Sequence, residues 1–451
     1  MTAAAIDTAQ TPKALLTGAL TYTSDSVMQS FAVDSTAQEL YTLQVVPADV
    51  YLTGDKEPIP GGVREDRGDL LCTRLALATG QVLDRMYLRG FGHGTSFGVV
   101  PRAGGGVDLW LEGNALHHAD RDITEGQAIA VTRYVPATGD GRTKDTPATA
   151  VDCGDTNRVE VLNVPGFPQH CLTAVDPAHH RLVVATRGPV PPGQDNQHYV
   201  YRYALYALDQ AAEGVLAEVP GVRAVTHVQP YPQGMATFGD HLYLWTGDAW
   251  ADDATLTTFD WRTGLSVRRT RIRRTAADPA RREPEGLAPW APEPGAGDDR
   301  TRLCFAFTFG PPSSARRSFD LMYLPGPGEP DLTVEVLVDW TPITLAAGVR
   351  SGSAEVPQAR LIALAGNRLL QLRGKITCGF SDAATGGLVG ALPAALRPSL
   401  NLHAGCPRNA RDGFAVCRVE ANDDGNLYAY GATPDNTVDW IQLDNFSVPW
   451  A

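Results

Sequence analysis

The sequence predicts an all-β protein: a five-bladed β-propeller followed by a small β-sandwich-like domain. Three observations carry this. Gly and Pro supply 78 of the 451 residues, scattered between short apolar runs. Those runs are rich in Val, Tyr, Phe, Trp and Thr, the strand and turn signature, and helical periodicity over longer windows is nearly absent. A polar-small residue pair followed by two apolar strands recurs five times.

The repeat reads in order. Gln29-Ser30 opens Phe31-Ala32-Val33-Asp34, and Leu40 to Leu43 follows. His93-Gly94 precedes Thr95 to Val99, then Leu109-Trp110-Leu111. His170-Cys171 leads into Leu172 to Asp176, then Leu182 to Ala185. Gln233-Gly234 leads into Met235 to Phe238, then Leu242 to Trp245, and Glu285-Gly286 leads into Leu287 to Trp290, then Leu303 to Ala306. Two further strands are expected in each unit, among them Leu71 to Leu77 with Gln81 to Leu88, Tyr201 to Leu208 with Gly214 to Val219, and Thr255 to Trp261 with Leu265 to Ile272. Radial repetition of four-stranded sheets leaves only short protected edges, which is how a chain of such units avoids open edge strands. Residues 1–20 are expected to be an N-terminal arm and residues 21–340 the propeller.

After Trp340 the polar-small pair disappears. Residues 341–451 read as a separate small β-domain. It holds one hairpin around Ala365-Gly366-Asn367 and another around Asp423-Asp424-Gly425-Asn426, where Asp-Gly favours a tight turn.

Composition bounds the function. The formal net charge of −13 excludes a bulk basic surface for nucleic-acid backbone. The basic residues are almost all Arg, the codon bias of a GC-rich genome. No uncharged run is long enough for a membrane-spanning helix, and Met1 to Lys13 lacks the pattern of a secretion signal. The seven cysteines are scattered without a CxxC pair, so a zinc site is unsupported; Cys406 and Cys417 face the choice between pairing across a hairpin and remaining buried thiols.

In a propeller the innermost strand of each blade lines the central channel. Gln29, His93, His170, Gln233 and Glu285 are then expected to converge at one mouth, a hydrogen-bonding and mostly neutral ring suited to a polyhydroxylated ligand. Arg282-Glu283-Pro284-Glu285-Gly286 is the densest charge cluster beside that ring. Arg282 offers a planar fork for phosphate. Glu283 and Glu285 share a strand face and suit a cation or an acid/base pair. Glu112 is a further ligand candidate near the axis. His117-His118 and His179-His180 are expected on solvated turns. No P-loop, HExxH or EF-hand motif occurs, and the glycines of Gly90-Phe91-Gly92-His93-Gly94 read as backbone room near the axis because a strand, not a helix, follows.

Val27 to Asp34, Gly68 to Leu75, Gly90-Phe91-Gly92-His93-Gly94 and Arg282-Glu283-Pro284-Glu285-Gly286 resemble the propeller domain shared by some phage receptor-binding proteins and bacterial proteins labelled teichoic-acid biosynthesis protein C. The resemblance spans roughly residues 25–325. It implies a five-bladed propeller that recognises bacterial cell-wall glycopolymer, teichoic-acid-like, without synthetic chemistry. Trp340 to Leu345, Leu392-Pro393 with Arg397-Pro398, and Trp440 to Asp444 are similar to phage tail-fibre tips. That second resemblance implies a homotrimer held by the C-terminal domain, with Leu388, Leu392, Leu396, Phe446, Val448 and Trp450 as contact candidates. The expectation is a non-enzymatic receptor-binding protein of a phage tail or tail-like particle, assembled in the cytoplasm and partnered by other particle proteins, with no cofactor and calcium left open. The rival is a hydrolase or lyase of wall polymer using His93, Glu283 and Glu285. A third reading is an intracellular scaffold without a carbohydrate ligand.

Overall fold

The structure is a computed structural model. It describes residues 5–23, 26–119, 123–159, 167, 169–189, 198–230, 232–248, 253–273, 282–295, 297–309, 317–326, 334–354, 356–364, 367–381, 386–411 and 414–450. The chain divides into two compact units, Met1–Glu329 and Pro330–Ala451.

The first unit is a propeller of five sheets. The first blade runs Met28–Asp34, Glu39–Val45, Leu70–Ala76 and Val82–Arg89, with Ala150–Asp152 added in parallel to its outer edge. The second runs Gly98–Pro101, Val107–His118, Ile123–Arg133 and Asn157–Val159. The third runs Gln169–Asp176, Arg181–Arg187, His198–Ala207 and Val225–Pro230. The fourth runs Gly234–Phe238, His241–Thr246, Asp253–Asp260 and Leu265–Arg273. The fifth runs Arg282–Trp290, Arg302–Phe309 and Ser318–Leu324, and its outer strand is Lys13–Ala19 from the start of the chain. The five inner strands pack against one another in a closed circuit. Their apolar faces interlock between blades: Trp245 of the fourth packs on Phe305 and Phe307 of the fifth, and Ala288 and Trp290 of the fifth share a core with Phe31 of the first.

Four expectations about elements are corrected. Residues 1–20 are no free arm: Lys13–Ala19 pairs antiparallel with Ser318–Leu324, and Ile6 is buried, its N–H donating to Tyr243 Oη at 3.0 Å. The first unit ends near residue 329, not 340, because Val334–Pro342 pairs with Gln358–Leu364 of the second. Gly214 to Val219 is not the fourth strand of its blade. A short helix, Leu208–Ala212, turns the chain there, and Val225–Pro230 takes the edge. His117 and His118 end the long strand Val107–His118 instead of occupying a turn.

The second unit has its own core, including Leu370, Ile376, Val419, Ile441 and Phe446. One sheet orders Val334–Pro342, Gln358–Leu364, Asn367–Arg373 and Ser447–Pro449. The other has eight strands, and its two edges, Thr344–Leu345 and Arg350–Ser351, are successive in the chain, so the sheet curls nearly closed. Both expected hairpins form, Gln358–Leu364 with Asn367–Arg373 and Phe414–Ala421 with Asn426–Tyr430; the turn residues Ala365 and Gly366 lie outside the described residues. Cys406 and Cys417 sit directly opposite each other as free thiols, and burial pushes them up to about 12 and about 11. Leu392, Leu396 and Phe446 are buried in this core and so are not available to a partner subunit, whereas Leu388 is 41% exposed.

Candidate functional site at the polar end of the propeller axis

The polar residues that head the repeats, Gln29, His93, His170, Gln233 and Glu285, mark one end of the axis, and the apolar stretches that follow them lead to the other. At the far end Ala32, Val99, Ala174, Ala236, Leu287, Phe238 and Trp290 line a cavity of about 510 Å³. At the near end the strand starts carry bulges. In the first and third blades the strand register skips Gln29 and His170, and in the fifth it skips Gly286. An extra residue at a bulge re-aims the chain at the rim of a sheet. His170 adopts a left-handed backbone with φ 62°, uncommon for a residue with a side chain, and this turns the imidazole into the molecule.

Glu112 is the centre of this end. It lies on the second strand of the second blade and is fully buried. One oxygen accepts the Gly94 N–H at 2.5 Å and the Thr95 N–H at 3.1 Å, and the other accepts the Gly126 N–H at 2.9 Å. The Gly-Phe-Gly-His-Gly string exists to wrap this carboxylate: a Cβ on Gly92 would stand 2.4 Å from Oε2. Burial pushes the carboxyl up to about 7, against the pull of the backbone donors.

A buried polar row continues across the blade boundary. His170 Nε2 is 3.9 Å from Glu112, and His170 Nδ1 is 3.7 Å from Glu125. Arg187 of the third blade clamps Glu125 of the second with both terminal nitrogens, Nη2 at 2.7 Å from Oε2, and lies 4.7 Å from the Tyr199 ring. His118 Nε2 is 3.3 Å from Glu125. A doubly hydrogen-bonded Arg–carboxylate pair fixes geometry as well as charge.

Outward from Glu112, the His93 N–H also points at its carboxylate, and the His93 ring faces Glu65 at 3.8 Å. Burial holds His93 below the ordinary imidazole value, with Glu65 opposing. Glu65 lines a cleft of about 490 Å³ together with Gln29, Asp49, Val27, Pro47 and Arg317. This cleft draws on the first and fifth blades and mixes polar side chains with apolar ones.

The predicted residues therefore divide. Glu112, His170 and the main chain of His93 meet. Gln29 lines the cleft that Glu65 shares, and Ser30 beside it donates through Oγ to Gly94 O. The carbonyl of Gln233 accepts from Gly286 N at 2.7 Å, and its side chain donates to Gly247 O at 3.2 Å. Arg282 is buried, 3.8 Å from the Phe307 ring centroid, and donates to Ile272 O at 3.2 Å, a packed position instead of an open phosphate fork. Glu285 is buried and Glu283 half-buried. Among the described residues no group of three or more His, Cys, Asp or Glu is placed to hold a metal ion. His179, expected on a solvated turn, bridges Asp176 at 2.7 Å and Asp298 at 3.1 Å, and these carboxylates raise it to about 9.

Sequence reasoning missed Glu65, Glu125, Arg187 and Arg317. They come from strands and connections outside the repeated polar-small pairs. The one available signal was a lone charge inside an apolar strand, Glu125 within Ile123–Arg133 and Arg187 closing Leu182 to Ala185.

No family model matches this chain, and no curated protein does. Among solved structures it is similar to the receptor binding protein of Listeria phage PSA, at 17% identity over 26% of this chain and 67% of that one, TM-score 0.20. It is also similar to an exo-β-1,3-galactanase from Clostridium thermocellum, at 11% identity over 95% and 99%, TM-score 0.37. A GH43_1 enzyme from Xanthomonas citri aligns at 12% identity over 69% and 89%, TM-score 0.34. Likenesses this distant say nothing of what this chain binds. Among the described residues no helix is long and apolar enough to cross a membrane.

Proposed function

We propose that this protein is a receptor-binding protein of a phage tail or tail-like particle, and that the polar end of its propeller holds bacterial wall glycopolymer, teichoic-acid-like. In this reading copies associate through the second unit into a trimer that presents several propellers to one wall. The observation that carries it is the cleft in which Gln29, Asp49, Glu65 and Arg317 stand among apolar side chains such as Val27 and Pro47, beside a row of sealed carboxylates. Mixed donors and acceptors on an open, pre-formed surface suit hydroxyl groups.

The hydrolytic reading meets an obstacle in the same geometry. A general acid must reach the proton it moves. Glu112 has the near-neutral value an acid needs, but it is fully buried and its oxygens already accept backbone N–H bonds. Glu125 is fully buried and clamped by Arg187. Both carboxylates shape the site from behind.

Incubation of the full chain with purified walls from several GC-rich Gram-positive bacteria, with and without chelator, tests the reading. Retention without soluble saccharide is expected, reduced about tenfold or more by combining Gln29→Ala and Glu65→Gln, each removing one or more polar contacts. No retention by any wall sinks the proposal. Release of soluble fragments, abolished by Glu283→Gln or Glu285→Gln, establishes the enzyme instead.

A further inference from the structure

Arg282 was the phosphate candidate of the sequence, and the structure spends it on packing. The second unit offers a different pair. Trp340 lies on Val334–Pro342, and two arginines from the neighbouring hairpin stack against it. The Arg360 guanidinium carbon is 4.5 Å from its ring centroid and that of Arg373 is 4.4 Å. The three side chains are half-buried on the face of the sheet turned away from Ala359, Leu361, Leu370 and Leu372 of the core.

Cross-strand register explains why both guanidinium groups are held. Arg360 opposes Gln371, and Arg373 opposes Gln358. Arg360 Nε donates to Gln371 Oε1 at 2.8 Å, and Arg373 Nε donates to Gln358 Oε1 at 2.8 Å, with Arg373 Nη2 on the same oxygen. Gln371 is steadied in turn by Ser447 Oγ at 3.0 Å. The partners are neutral amides. Neither arginine makes an ion pair with a carboxylate among the described residues, in a chain of net charge −13 whose arginines elsewhere repeatedly find acids: Arg74 with Asp84, Arg102 with Asp108, Arg187 with Glu125, Arg202 with Glu218.

Two positive charges have thus been brought to one ring with no carboxylate paired to either among the described residues. Bringing like charges together costs free energy that the neutral amides do not return. Stacking on Trp340 offsets part of it and fixes the planes. With Nε tethered, Arg360 keeps its two terminal nitrogens for another partner and Arg373 keeps Nη1. That is the donor edge that grips a tetrahedral oxyanion.

The geometry points to a phosphate-binding site at Arg360, Trp340 and Arg373, one that takes the phosphate of an anionic polymer or a phosphomonoester. The site lies within the second unit and does not depend on the propeller reading. Together they would read two features of one polymer, hydroxyls at the propeller and phosphate here, and two linked sites raise avidity.

Calorimetric titration of the full chain with poly(glycerol phosphate), with inorganic phosphate and with neutral glycerol tests it. Binding of both phosphate probes and none of glycerol is expected, weakening with added salt as the charges are screened. Arg360→Gln and Arg373→Gln should each lower affinity about tenfold or more, the size of a lost charge-assisted contact. Binding of the polymer alone assigns the site to a diester chain, and binding of both assigns it to the phosphate group itself. Should either variant fail to fold, the wild type still decides: the Nε resonances of Arg360 and Arg373 must shift on adding phosphate. Unshifted resonances, or unchanged affinity in the folded double variant, overturn the proposal. Gln29→Ala with Glu65→Gln leaves phosphate binding intact if this site is real and only the propeller reading is wrong.

Discussion

Glu112 has both oxygens filled by main-chain donors, from the loop before Gly98–Pro101 and from the strand Ile123–Arg133, so its ionisation is coupled to the fold around it. The folded carboxyl titrates near 7 and the unfolded one near the ordinary 4.5. A raised folded value means that the stability it contributes is complete below about 4.5 and is lost as pH rises through about 7. The difference corresponds to roughly 3 kcal/mol at one pKa unit per 1.4 kcal/mol. Glutamine removes the titration, but its NH2 cannot accept the backbone N–H that one carboxylate oxygen accepts. Glu112→Gln should therefore be less stable than the wild type near pH 4 and recover on it by roughly 3 kcal/mol by pH 8. Paired urea denaturation series across that range measure the gap. A gap that stays flat, or that moves in favour of the wild type, would show that the backbone donors outweigh burial and that the carboxylate is ionised throughout.

At the scale of the element, the bulges at the inner strand starts both make the near end and limit how much of it the sequence reveals. Aligning the repeats by side-chain chemistry puts Glu285 opposite Gln29 and His170. Pairing shows that Gly286 is their counterpart, because Glu285 still faces Ala306 while Gly286 is skipped. One inserted residue moves a side chain to the other face, and nothing in local composition announces it. The second blade departs further: His93 lies in the loop before Gly98–Pro101, diverted to enclose Glu112. Most strands and turns, and the polar residues that head the repeats, were legible because each is a short-range pattern. The Glu125–Arg187 clamp was not, since its partners are 62 residues apart on different blades.

Gly286 gives this a direct test. Its φ is 75°, and a Cβ there would meet Phe31 Cδ1 at 2.5 Å and Phe31 N at 2.8 Å, across the contact between the fifth and first blades. Gly286→Ala should cost about 2–4 kcal/mol from left-handed strain plus crowding. Gly295 has a similar φ of 78° with nothing within 4 Å, so Gly295→Ala should cost only about 1–2 kcal/mol. Thermal melts of the two variants compare them, and equal shifts would mean that the fifth and first blades do not approach so closely.

On the scale of the whole molecule, the ring is closed by a strand taken from the opposite end of the chain. Lys13 pairs with Tyr323 and Leu16 with Leu321, and Gly18 donates to an Asp320 oxygen 302 residues away at 2.7 Å. Read alone, Lys13 to Ala19 is a short stretch with no polar-small pair, outside the five repeats. Upstream, Ile6 enters the core shared by the fourth and fifth blades, and Asp7 pairs with Arg268 at 2.7 Å. Deleting residues 1–19 would strip the outer strand from the fifth blade, uncover the edge of Ser318–Leu324 and empty the Ile6 and Leu16 sites. Unpaired edges of this kind drive association between chains. Each buried aliphatic side chain lost costs about 2–5 kcal/mol, a large share of a typical net stability of about 5–15 kcal/mol. The second unit keeps its own sheets and core, with no strand shared with the first. Scanning calorimetry of the deletion variant should then show the propeller transition lost or shifted down steeply, with concentration-dependent aggregation, while the transition of Pro330–Ala451 stays in place. Loss of both transitions together would show that the units unfold as one, and an unshifted propeller transition would show that three strands suffice for the fifth blade.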